Sequence, residues 1–135
     1  MTPVPNTADF IAHVVELARP AASLTVRAMF GGHGLYVDGV IVAIVIDDTV
    51  YFKTDAENRD EFAALSLEPF VYVTKQGERM STSYHRAPDE ALESPDAMGT
   101  WLRSALGAAL RRAAAKPSRS RPRTTAASKR RSGTR

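Results

Sequence analysis

Seven consecutive apolar residues, Val40-Ile41-Val42-Ala43-Ile44-Val45-Ile46, stand between Asp38-Gly39 on one side and Asp47-Asp48 on the other. A run this short and this rich in β-branched side chains reads as a strand, and its lack of alternation means that both of its faces are covered. Asp-Gly between two apolar runs signals a type I′ hairpin, because both central residues of that turn need positive φ. The strand is therefore preceded by an antiparallel partner at residues 35–37 and followed, beyond Asp47-Asp48, by another at 49–53. Helices packed on one side of such a small sheet leave its other side wet, so further helices or a second subunit must cover the far face.

The flanking segments supply the helices. Phe10, Ile11, Val14, Val15, Leu17 and Ala18 recur at helical spacing, with Asn6 or Thr7 as cap, and Arg19-Pro20 ends a helix over 8–18. Residues 24–30 read as a strand that closes on a glycine turn at Gly31-Gly32. Asp55 caps a short helix running to about Leu65, with Phe62 and Leu65 pointing inward and acids outward. A second hairpin follows, residues 70–74 and 79–84 around Gln76-Gly77. The last helix has Ser94 as cap and Pro95 in its first turn, and Met98, Trp101, Leu102, Ala105, Leu106, Ala109 and Leu110 form its apolar stripe. The expected fold is two-layer α+β, an antiparallel sheet of about five strands with flanking helices, over residues 1–115. After Ala115 no large apolar residue occurs, and residues 116–135 read as a disordered basic tail.

Charge divides at the same place. Ten of the eighteen Lys and Arg lie at or after Arg111, whereas all fifteen acids precede it. Residues 1–110 carry a net −7 and residues 111–135 carry +10, so the pI near 9.5 describes the tail. A domain this acidic is not expected to attract phosphate backbones. The tail, with Lys116, Arg119, Arg121, Arg123, Lys129, Arg130, Arg131 and Arg135, is suited to salt-sensitive, sequence-independent contact with DNA or RNA. Cysteine is absent, which excludes disulfides, thiolate zinc sites and a cysteine nucleophile. The N-terminus has neither a positive n-region nor an apolar h-region, and a cytoplasmic protein without membrane contact is expected.

The segment Arg27-Ala28-Met29-Phe30-Gly31-Gly32-His33-Gly34-Leu35-Tyr36, with Asp38-Gly39 and Val50-Tyr51-Phe52-Lys53-Thr54-Asp55, resembles the opening of the TfoX/Sxy N-terminal domain. Glu68-Pro69-Phe70-Val71-Tyr72 and Ser83-Tyr84-His85-Arg86-Ala87-Pro88 are similar to its later motifs, in the same order. The resemblance implies a sheet like that of secretion chaperones, frequent dimerisation, and a regulatory rather than catalytic role. Two-domain members of that family regulate natural competence with a cyclic-AMP receptor protein at promoters. The basic tail is expected here in place of their second, helical domain. His33, Tyr36, Tyr51, Lys53 and Tyr84 are the candidate recognition residues matched through these motifs.

Other groupings are better read as structure. Gly31-Gly32-His33-Gly34 fails the dinucleotide fingerprint, since the third glycine would fall on Val37 and a strand follows. His13, His33 and His85 lack metal-site spacing, and Ser81, Ser83 and His85, though on one strand face, have no orienting carboxylate. Neither an enzyme nor a cofactor is expected. The leading expectation is a homodimeric interaction module that contacts a protein partner such as a transcription regulator. The alternative is a small-ligand or peptide binder using the aromatic sheet face.

Overall fold

The computed structural model describes residues 8–29 and 31–115. The expected caps Asn6 and Thr7, Phe30, and the basic tail at 116–135 lie outside the described residues. In chain order the elements are α1 (Ala8–Ala18), β1 (Thr25–Met29), β2 (Gly32–Val37), β3 (Val40–Ile46), β4 (Thr49–Lys53), α2 (Arg59–Ala63), β5 (Pro69–Val73), β6 (Arg79–Arg86), a 3-10 turn (Asp89–Leu92) and α3 (Pro95–Ala115). The strands form one antiparallel sheet in the order β1-β2-β3-β4-β6-β5. The fold is α+β as expected, with six strands rather than about five.

Both tight turns of the central strand use the left-handed region. Asp38 and Gly39 have φ of 48° and 83°, and Asp47 and Asp48 have 51° and 56°. Aspartate tolerates this better than most residues, because its short side chain bonds locally. The glycine turn is displaced by one residue from its expected place. Gly32 already pairs with Met29 and opens β2, and the positive φ, 79°, belongs to Gly31.

The apolar run is explained by a bulge. Leu35 pairs with Ala43 but Tyr36 pairs with Ile41, which leaves Val42 as an extra residue in β3. Val42 and Ala43 consequently both enter the core, together with Val45, and Val40 packs at its margin. Ile41, Ile44 and Ile46 face the other way. The core lies between this side of the sheet and the helices: Val14, Leu17 and Ala18 of α1, Phe62 of α2, and Met98, Leu102, Ala105 and Ala109 of α3 meet Leu35, Val50 and Phe52. The centre of the far face is not covered by a helix: no helical residue lines its trough among the described residues, and only the C-terminal turns of α3 reach its margin at Ile41 and Lys53.

Two inward assignments are corrected. Leu65 is 51% exposed, because α2 starts late and stops early. The Asp55 carboxylate accepts the backbone N–H of Glu57 and of Asn58, and the Asn58 amide donates to the carbonyls of Lys53 and Ser104. Residues 55–58 are thus held in a turn, and the helix begins only at Arg59. Ser66, at φ 59°, then reverses the chain and delivers Leu67 to the core in place of Leu65. Leu110 is also 51% exposed. The buried stripe of α3 runs through Met98, Leu102, Ala105 and Ala109, and Leu110 lies about 100° past it, at 3.6 residues per turn. The Ser94 cap forms as expected, its hydroxyl accepting the N–H of Ala97.

Candidate functional site

The helix-free face carries the aromatic residues. Pairing puts Arg27 opposite Gly34 and Lys53 opposite Tyr84, and the period of two then places Arg27, Met29, Gly34, Tyr36, Tyr51, Lys53 and Tyr84 on that face. His33 lies on the opposite side with Leu35, paired to Val45, and is not part of this surface.

Gly34 determines how Tyr36 lies. A Cβ on Gly34 would come within 3.0 Å of Tyr36 Cε1, 3.2 Å of Ile41 Cδ1 and 3.4 Å of Met29 Sδ. The bare backbone lets the Tyr36 ring settle over the strand, and the guanidinium of Arg27 stands 5.5 Å from its centroid. Tyr84 is close enough to Tyr36 for the two phenols to influence each other. Its pKa is raised chiefly by burial and further by Tyr36, while Arg112 of α3 acts in the opposite sense. Lys53 Nζ lies 4.9 Å from the Tyr84 ring centroid and donates to Ser83 Oγ at 2.9 Å. Arg27 over the Tyr36 ring, Lys53 over the Tyr84 ring and Arg112 beside Lys53 therefore put three cations around two tyrosine side chains.

Beside the cluster the face is apolar. Ile41, Ile44, Ile46 and Phe70 line an open trough of about 580 Å³ that also takes in Tyr84 and Thr82. Met29 of β1 and Tyr72 and Val73 of β5 line the same trough. In a flat sheet the two edge strands would be roughly 24 Å apart at about 4.8 Å per strand, so the sheet curves around this side. None of the lining residues is charged. Three of them, Met29, Tyr72 and Val73, are exposed by 36%, 46% and 60%.

Of the expected recognition residues, Tyr36, Lys53 and Tyr84 come together. Tyr51 stands apart, its ring 5.0 Å from that of Phe70, in a separate depression with Glu68, Arg79 and Arg86. Arg27 and Arg112 were missed. Arg27 is found only once Met29 is paired with Gly32, and Arg112 only once the C-terminal turns of α3 are laid beside Lys53 and Ile41.

A comparison with protein families matches the TfoX N-terminal domain over residues 16–109. The chain belongs to the TfoX N-terminal domain family. The matched span of this TfoX-type domain runs from α1 through most of α3 and contains the whole sheet. No curated protein matches the chain. No helix among the described residues is long and apolar enough to cross a membrane.

On the core side, His85 is buried against the Phe62 ring at 5.8 Å, and its Nδ1 lies 3.0 Å from Thr54 Oγ1. The Thr54 hydroxyl donates to the Ser83 carbonyl, which casts it as acceptor from Nδ1–H. This bond ties His85 to Thr54 rather than to Ser81 or Ser83. Burial first, and then the positive Arg59, hold the His85 pKa below the ordinary histidine value. The unfolded chain therefore takes up this proton more readily. Stability from neutral His85 is complete above about pH 6.5 and is lost as pH falls through the lower folded value. Thermal unfolding followed from about pH 7.5 down to about pH 5, about one unit above the ordinary histidine value to about one and a half below it, should show a falling Tm that His85→Phe flattens. Asp55, held at about 2 by its bond to Arg111, does not titrate in this window. An equally steep fall in His85→Phe would assign the effect to other groups.

Proposed function

We propose that this TfoX-type domain is a non-enzymatic interaction module that pairs with a second copy of itself through the apolar trough, while the basic segment 116–135 attaches it to nucleic acid without sequence preference. One observation carries the pairing: an uncharged trough with exposed Met29, Tyr72 and Val73 in a domain otherwise rich in acids. Apolar surface concentrated in this way favours a protein contact over solvent. Residues 1–110 carry a net −7, so close contact between two such bodies is least opposed where charge is absent, which directs a self-contact to this face. A regulatory role through a protein partner at promoters follows the family resemblance.

The test is the mass in solution at micromolar concentration, by light scattering or sedimentation. The full chain is expected to be a dimer. Val73→Asp, at a side chain too exposed to matter for folding, should weaken it by at least about tenfold, since it sets like charges against an apolar surface. A wild-type monomer, or a Val73→Asp dimer of unchanged affinity, overturns the pairing. A second reading, a small-ligand or peptide binder, is favoured by the volume of the trough, which lies in the range of small-molecule sites. Thermal-shift screening distinguishes the two, because a ligand raises Tm and self-pairing does not respond to it.

A further inference from the structure

We propose that Arg27, Lys53 and Arg112, gathered beside the rings of Tyr36 and Tyr84, form a phosphate-backbone contact that carries the nucleic-acid interaction of segment 116–135 onto the body of the domain. The inference rests on the reading of that segment as a nucleic-acid binder and adds the place where the bound strand continues.

The placement follows from α3. Its C-terminal turns, with Ala109, Arg112 and Ala113, lie beside Gly39, Val40, Ile41 and Lys53 at one end of the sheet. The helix is described as far as Ala115, and the twenty residues that follow in the sequence hold eight cations and no acid. Arg112 is the cluster cation nearest that segment along the chain, so a polyanion held by the segment reaches it before Lys53 and Arg27. The two phenols between these cations offer hydroxyl donors, which phosphate oxygens accept.

The net charge of residues 1–110 argues against such a contact only if charge is spread evenly, and here it is not. Arg111 is already engaged by acids: it donates to Asp55 at 2.6 and 3.0 Å and lies 3.3 Å from Glu57. Arg112, one residue on, is exposed and lines a depression with Lys53 and Ile41. Asp55 and Glu57, which follow Lys53 at this end of the sheet, are taken up by Arg111, and Asp38 lies in the turn before β3. Arg27, Lys53 and Arg112 are additional to that group, and the chain as a whole carries +3. Lys53 and Arg27 are held over tyrosine rings, so ordering them costs less on binding than ordering free surface side chains.

The experiment measures binding of the full chain to duplex DNA of arbitrary sequence as a function of salt. Four proteins are compared: wild type, the triple variant Arg27→Gln/Lys53→Gln/Arg112→Gln, the single variant Arg112→Gln, and a full chain with all eight cations of 116–135 replaced by glutamine. Each phosphate contact contributes about 0.9 to the log–log slope, so the triple variant should flatten it by roughly 2 to 3. The tail-neutral chain should lose binding. Arg112→Gln alone, an exposed helical change that leaves the fold in place, should flatten the slope by about 1. If the tail-neutral chain fails to bind but the triple variant keeps the wild-type slope, the cluster contact is overturned and the tail reading stands. If the tail-neutral chain binds like wild type, the tail reading itself is overturned, and this inference falls with it.

Discussion

Phe62→Ala is expected to lower the stability of the domain by about 3 to 5 kcal/mol, the cost of removing a large buried ring that the surroundings cannot refill. Phe62 is completely buried, and three other rings surround it: Trp101 edge-on at 5.0 Å, His85 at 5.8 Å and Phe52 at 6.5 Å. It is also the only core anchor on α2, a helix of five residues too short to persist without packing. Its loss therefore exposes the segment from Asp55 to Leu67 as well as opening a cavity. A domain of this size has about 5 to 15 kcal/mol in total, so the variant should unfold at much lower urea, with hydrogen exchange accelerating first between residues 55 and 67. A change below about 1 kcal/mol would mean that neighbouring side chains collapse into the space.

Gly34→Val is expected to cost about 1 to 3 kcal/mol, and for the opposite reason: it adds atoms where none fit. The first carbon alone would press on Tyr36, Ile41 and Met29, and two methyl groups beyond it cannot be placed without lifting the Tyr36 ring from the strand. The ring supports Arg27 and neighbours Tyr84, so the cation cluster should loosen together with the strand. Chemical denaturation measures the first effect, and the salt slope of DNA binding the second. Unchanged stability in Gly34→Val would show that β2 can move away from the face.

Local chemistry made much of the fold legible. The bounds of α1, the strand after Asp38-Gly39 and the Ser94 cap are decided within a few residues, and each appears where the pattern puts it, whereas the strand before that turn begins three residues earlier, at Gly32. Interactions between distant segments were not legible. Asp55 suits the start of a helix by residue type, yet its pairing with Arg111, fifty-six positions away, and the amide of Asn58 hold it in a preceding turn, which sends Leu65 outward. The site divides in the same way. Motifs pointed to Tyr36, Lys53 and Tyr84, which the sheet brings together, but also to His33, which the strand period places on the other side. Arg27 and Arg112 belong to the cluster through strand register and helix phase, and neither is fixed by the residues next to them in the chain.

The bulge at Val42 bears on how this sheet avoids assembling wrongly. A strand whose seven side chains are all apolar offers no penalty if it slides by one position, because every choice buries an equally greasy set. Alignment must come from elsewhere, and the two aspartate-bearing bends at its ends, together with the supernumerary valine, can meet their partners at a single offset. Two short bends and one extra valine thus decide which isoleucines point toward a neighbour and which valines toward the helices.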